Sequence, residues 1–189
     1  MSRNRFSNVI GFDDAPFTPR WEGNVTVVGT VFARLRLNGV LVGEVEKDGT
    51  DAAAQLAQLV KQSKFFENVQ LIMLQGIALG GFNVVDVFQL HEQLALPILV
   101  VARRQPDMDA IRDALLDRVH DGAHKWALIE RLGPMEPVAK VYVQRVGLTL
   151  TQAATTIKHF AVEGKIPEPL RTAHLIAGAL VDGQSRGRT

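Results

Sequence analysis

Residues 24–64 read NVTVVGTVFARLRLNGVLVGEVEKDGTDAAAQLAQLVKQSK, and the periodicity of this stretch changes part-way along it. Asn24–Ala33 is rich in β-branched residues, which suit a pleated and half-buried surface, and it is predicted as a strand. Arg34–Asn38 is a polar bend with Asn38-Gly39 as its turn signal, and Val40–Glu46 is the next strand. From Asp51 the pattern becomes helical. Asp51–Lys64 carries Ala, Leu and Val at helical spacing, with Thr50 or Asp51 as the N-cap candidate.

Upstream, Asn8–Phe12 (NVIGF) is a short apolar strand ending at Asp13-Asp14, followed by a Pro-containing loop, Ala15–Gly23. The chain therefore opens with a three-strand meander. Downstream, Val69–Leu74 (VQLIML) is apolar enough for a central strand. A glycine-rich loop, Gln75–Phe82, leads to a helix from Val84 to Leu94, and Pro97–Ala102 (PILVVA) is the fifth strand. Pro106 fits the first turn of a helix running to Val119. Gly122–Leu132 is a further helix, Val138–Arg145 an extra strand, and Thr151–Glu163 and Glu168–Val181 two closing helices. The expected architecture is α/β: a mixed five-stranded sheet with helices on its faces, in the ribonuclease-H-like order, with residues 1–189 as a single domain. A plain doubly wound sheet is the alternative, and the opening meander argues against it.

Composition narrows the functional classes. Hydrophobic residues make up 47% and charged residues 22%, the balance of a globular domain rather than a disordered chain. Only the tips, Met1–Arg5 and Gln184–Thr189, read as loose, polar and basic. The net charge of +1 offers no general attraction for nucleic acid, so any such contact has to come from local basic patches. The absence of cysteine excludes disulfides, thiolate metal sites and a cysteine nucleophile. With no apolar leader and no run of spanning length, the expectation is a cytoplasmic protein with no membrane partner. Its oligomeric state is left open.

The topology places chemistry. Strands one and three of a meander run the same way, and helical crossovers keep the later strands parallel to strand one. The C-terminal ends of strands one, three, four and five then share one edge, where open α/β sheets bind ligands. That edge carries Asp13 and Asp14, Asp48 and Asp51, Gln75 with its glycine loop, and Arg103 with Arg104; Asp86 lies early in the next helix. Converging carboxylates are stable only when protonated, paired or bridged by a cation. Mg²⁺ or Mn²⁺ is the economical bridge, and Arg103 and Arg104 suit a neighbouring phosphate. Simpler roles exist for several of these residues: Asp48-Gly49 as a turn, Asp51 as an N-cap, and Asn83 with Asp86 as a capping box. Asp13 and Asp14, adjacent at a strand end, point to opposite faces, so one of them faces inward.

Other motifs are weaker. The loop Gln75–Asn83 contains Gly76, Gly80 and Gly81 but matches neither a dinucleotide fingerprint nor a Walker loop. No G-x-S-x-G elbow and no HExxH is present, and His91 and His159 read as exposed helix residues. In Ile166–His174, the residues Glu168, Arg171 and His174 fall on roughly one side of a helix. That side is either a solvated face with a Glu–Arg pair or a basic contact for a phosphate backbone, to which Ser185-Arg186-Gly187-Arg188 can add.

Taken together, IGFDDAPF (10–17), DGTD (48–51), GFNVVD (81–86), Leu96-Pro97 with the strand ending Ala102-Arg103-Arg104, and PEPLRTAH (167–174) resemble the endonuclease dU family, distant relatives of endonuclease V. The resemblance implies a ribonuclease-H-like fold and Mg²⁺- or Mn²⁺-dependent cleavage of DNA near a deaminated base, chiefly deoxyuridine. The Gly11-x-Asp13 pattern implies Asp13 as the central metal ligand and position alone implies Asp51 as a further one; Asp86 is the candidate to replace a ligand that this chain lacks, with Asp14 supporting them. Arg103, Arg104, Arg171 and His174 would steady the strand, with Gln75, Gly76, Gly80, Gly81 and Asn83 near the site. Endonuclease V carries an aspartate at the end of the fourth strand where this chain has Gln75, and its base-reading wedge has no clear counterpart. The rival readings are a nucleotide- or nucleic-acid-binding module without turnover, and a hydrolase of small phosphoesters.

Overall fold

The computed structural model describes residues 6–185. Met1–Arg5 and the tail residues Arg186, Gly187 and Arg188, read above as loose and basic, lie outside the described residues. The meander consists of β1 (Asn8–Asp14), β2 (Asn24–Ala33) and β3 (Arg36–Glu46), paired antiparallel in chain order. Helix α1 (Ala52–Lys61) returns the chain to β4 (Leu71–Gln75), which lies parallel to β1. A small hairpin of β5 (Ala78–Leu79) and β6 (Asn83–Val84) precedes α2 (Val87–Leu94) and β7 (Ile98–Ala102), which is parallel to β4. Helices α3 (Met108–Arg118) and α4 (Gly122–Leu132) follow, then a hairpin of β8 (Glu136–Val138) and β9 (Val141–Val146). Helices α5 (Leu150–Phe160) and α6 (Glu168–Asp182) close the fold.

The main sheet has seven strands in the order β3-β2-β1-β4-β7-β9-β8. The five expected strands take the expected directions, and the β8–β9 hairpin widens the sheet at the β7 side, with β9 antiparallel to β7. The segment Val138–Arg145, expected as one strand, is two strands that turn at Ala139-Lys140. Alternation divides the central strands between two cores. Ile10, Phe12, Ile72, Leu74, Ile98 and Val100 pack with the apolar stripes of α1 and α2. Val9, Leu71, Met73, Leu99 and Val101 pack with α5 and α6. Both faces of β1, β4 and β7 are thus covered, which is why they read as continuous apolar runs.

Some local readings move. The first hairpin turns at Arg34-Leu35, with Arg34 in the left-handed region (φ 55°), and β3 begins at Arg36. Asn38-Gly39 lies inside β3: Gly39 pairs with Val31 and Leu37 with Phe32, leaving Asn38 as the extra residue of a bulge. Gly39 is small because the Phe65 ring packs onto its backbone. Helix α2 starts at Val87 rather than Val84, because Asn83 and Val84 are drawn into the small hairpin. Pro106 stands just before the N-cap Asp107 of α3 rather than within its first turn. His91 is half-buried, its Nδ1–H donating to the Leu96 carbonyl at 2.7 Å, and His159 is half-buried against Phe160. No helix among the described residues is long and apolar enough to cross a membrane.

The contact that matters most for the site is between α6 and β1. A Cβ at Gly11 would lie 2.6 Å from the carbonyl carbon of Pro169, so the first turn of α6 rests directly on the strand backbone. The Thr30 hydroxyl fastens the same turn to β2, donating to the Pro169 carbonyl at 2.6 Å.

Candidate active site

Asp13 continues the series Val9, Gly11 on the α6 side of β1, and Asp14 continues Ile10, Phe12 on the other side. Their partners differ accordingly. Asp13 is 5% exposed. Its Oδ2 accepts from the Nδ1–H of His174 at 2.8 Å, and its Oδ1 accepts from the Asp14 N–H at 3.0 Å. The bond to Asp13 holds the His174 imidazole above its ordinary pKa, the charges of Asp13 and Asp14 add to this, and partial burial opposes it. The Oδ2 of Asp14 accepts from the Gly80 N–H at 2.8 Å. Burial, and next the charge of Asp13, push the Asp14 carboxyl up to about 6, against backbone N–H bonds that favour its ionised form.

Gln75 ends β4. The parallel register sets Phe12 beside Leu74, so Gln75 stands level with Asp13, on the face shared by Leu71 and Met73. Its Oε1 is buried without a hydrogen-bond partner. A buried oxygen in that state lacks a donor or a cation. The α6 side of this edge therefore gathers a buried carboxylate, an imidazole and an unpaired amide oxygen.

A few residues away, acids of the same edge are spent on structure. Asp48 Oδ1 accepts from the Phe82 N–H at 2.7 Å. Asp51 stands at the N-cap of α1 but makes no side-chain cap bond there. Its Oδ1 instead accepts from the Glu46 N–H and from the amide of Asn83. Asn83 is fully buried; its Oδ1 accepts from the Ala52 N–H while its Nδ2 also donates to the Glu46 carbonyl. Left-handed φ at Gly80 (62°) and Gly81 (84°) turns the hairpin so that its N–H groups reach Asp14 and Asp48. The glycine loop thus gives those N–H groups to the protein's own carboxylates.

Lys125, missed by sequence reasoning, completes this network. It is 1% exposed, and its Nζ donates to the Asp48 carbonyl from α4. Burial lowers its pKa, while Asp48, Asp121 and Glu46 support the charged form. A signal existed: Gly122, Lys125 and Ile129 fall on one helical stripe, and all three are buried.

The remaining candidates lie apart. Asp86 caps α2, accepting from the Gln89 N–H at 2.9 Å, so it is the cap itself and Asn83 is not its capping-box partner. Arg171 pairs with Glu168 at 3.0 Å, a bond that raises its pKa. Arg103 and Arg104 are exposed beyond the end of β7, and Gly76 follows Gln75 with its N–H on the Val101 carbonyl. Among the described residues, no three His, Asp or Glu side chains are arranged to hold a metal ion.

The family model for endonuclease dU matches residues 5–181. The chain belongs to the endonuclease dU family. A UPF0215 protein of Deinococcus radiodurans is 53% identical over 184 residues, covering 97% of this chain and 94% of the relative. A solved protein of unknown function from Archaeoglobus fulgidus superposes with a TM-score of 0.85 at 34% identity, over 92% of this chain and 98% of its own. Endonuclease V of Ciona intestinalis, solved with a 24mer DNA containing an inosine followed by a ribo-adenosine, superposes with a TM-score of 0.58 at 16% identity, over 89% of this chain and 83% of its own. That likeness shows a common ribonuclease-H-like fold. Membership of the endonuclease dU family, together with this fold, supports a nuclease of the endonuclease V type.

Proposed function

We propose that this endonuclease dU family member is a metal-dependent endonuclease that cuts a DNA strand near a deaminated base, deoxyuridine before others. The observation that carries the reading is buried Asp13 bonded to His174, beside the unpartnered Oε1 of Gln75. Asp13 and Gln75, on the same face of the sheet, are oxygen donors, the ligand type that Mg²⁺ and Mn²⁺ prefer. Mg²⁺ commonly takes only one or two carboxylates and fills its remaining positions with water and substrate phosphate, so this set fits it. When bound, the metal supplies a water of lowered pKa and charge stabilisation for the phosphate. His174 Nδ1–H orients the Asp13 carboxylate, and its half-exposed ring holds a proton at Nδ1. Asp51 and Asp86 enter as positioning residues, since their carboxylates hold backbone in place. Arg103 and Arg104 serve the phosphate backbone. Arg171, paired with Glu168, braces the start of α6.

The test is strand cleavage of labelled single- and double-stranded oligonucleotides carrying one deoxyuridine, one deoxyinosine or no lesion. Each is incubated with Mn²⁺, Mg²⁺ or EDTA, using wild type and Asp13→Asn. Lesion-dependent nicking that needs metal and disappears in the variant is the expected result. A second reading, a nucleic-acid-binding module without turnover, is favoured by Gln75 standing in place of a carboxylate. It predicts binding with no product in any lane.

A further inference from the structure

Away from the carboxylates, a pocket of about 340 Å³ opens where three separate parts of the chain meet. Arg103 and Arg104 come from the end of β7, Lys140 from the β8–β9 turn, Lys165 from the loop before α6, and Tyr142 from β9. Four cations line it and no carboxylate does. None of the four is in an ion pair among the described residues. In a chain of net charge +1 this is a marked local excess. Like charges gathered on one concave surface repel until an anion joins them. The means of recognition are there too: two planar guanidinium forks, two mobile ammonium groups and a half-buried phenol O–H.

The pocket shares the edge used by Asp13. Tyr142 pairs with Ala102, the last residue of β7, so the start of β9 and the turn before it stand at the C-terminal end of β7. The sheet order β1-β4-β7 puts that end two strands from Asp13. At the usual strand spacing this is about 10 Å, or about three nucleotides of axis rise along one nucleic-acid strand.

We propose that this pocket binds a phosphate group, and, resting on the nuclease reading, that the phosphate belongs to the substrate strand about three nucleotides from the one cut at Asp13. The pocket fixes the register of the strand and is indifferent to the base, because it touches only the backbone. Catalysis at Asp13 then requires the strand to continue on the β7 side of the sheet.

The experiment uses the full chain as wild type, Lys140→Ala/Lys165→Ala and Lys140→Arg/Lys165→Arg. Binding of a fluorescent single-stranded oligonucleotide is followed by anisotropy in EDTA across a salt series, with unlabelled phosphate and a mononucleotide as competitors. Cleavage is measured in parallel. The alanine pair is expected to weaken binding roughly tenfold at 0.1 M salt, equally with and without a lesion, and to flatten the slope of log K against log salt by up to about 0.7, the share of one phosphate on a single strand. The arginine pair restores both. An unchanged slope and affinity in the alanine pair overturns the proposal. Oligonucleotide binding that ignores the substitutions, together with free phosphate or mononucleotide binding that depends on them, overturns the strand assignment. Loss of binding in the alanine pair, when wild type cuts no substrate, upholds the pocket and sinks the nuclease reading. Wild-type cleavage with unaltered binding in the alanine pair does the reverse.

Discussion

Two acidic places share one edge of the sheet and treat their carboxylates in opposite ways. At the end of β3, Asp48 and Asp51 are occupied by backbone N–H groups and by Asn83, and Lys125 seals the turn from behind. At the ends of β1 and β4, Asp13 leans on an ionisable imidazole, burial pushes the Asp14 carboxyl up to about 6, and Gln75 has an oxygen with no partner. The first place is satisfied as it stands. The second has capacity left over: an oxygen without a donor and a carboxyl whose charge is disfavoured by burial. Acidity in the sequence is common to both, so a count of aspartates cannot separate them.

The comparison breaks most sharply at Asp13. Asp13→Asn is expected to cut nicking activity by about a thousandfold while leaving the thermal midpoint nearly unchanged; equal activity in a quantitative nicking assay would move the centre elsewhere. Asn83→Ala tests the other place. It strands the buried Ala52 N–H and removes the donor to the part-buried Glu46 carbonyl. It should cost about 3 kcal/mol of stability, which for a chain of this size lowers Tm by roughly 6–12 °C. A melting curve matching wild type would show that the network is not the brace described. His174→Gln should reduce turnover by about a hundredfold with little change in oligonucleotide affinity, separated by comparing single-turnover rates with anisotropy.

Asp14 sharpens the contrast through pH. Its folded pKa of about 6 lies above the ordinary 3.8, so the native state binds the extra proton between those values. Its contribution to stability is therefore full below the lower value and is lost as pH rises through about 6. Asp14→Asn removes the buried charge but keeps an acceptor for Gly80. Without metal it should stabilise the protein at pH 8 by about 1–2 kcal/mol, the shift discounted for partial exposure, and give no gain at pH 3.5. Parallel stability curves for variant and wild type across that range would contradict it.

The strand directions, the helix order and the edge where the acids meet were legible in the sequence, because period-2 and helical patterns change cleanly at Asp51 and the meander fixes which ends coincide. The endonuclease dU resemblance rested on the motifs around Asp13 and Pro167–His174, and the family match bears it out. What the sequence hid was contact across long separation. The Asp13–His174 bond joins residues 161 apart, and nothing local announces it. Asn83 read as a helix cap because its spacing to Asp86 suits one, but the tertiary demand of the buried Ala52 N–H and the Glu46 carbonyl took it into the core. Lys125 drew no reading at all, because a helical lysine is ordinarily solvated, and only the stripe it shares with Ile129 pointed inward. The basic pocket depends on Val138–Arg145 folding as part of a hairpin, which a single apolar run does not reveal.

The bare contact between Gly11 and the first turn of α6 also has a consequence in time. The ribosome delivers the strand bearing Asp13 well before α6, with His174, which comes after the rest of the sheet. A polypeptide stopped anywhere before Glu168 holds the acid without the imidazole, and leaves the groove over Gly11 open to water. The two halves of the pair first meet when α6 seats on β1, so an unfinished copy cannot carry out any chemistry that needs both.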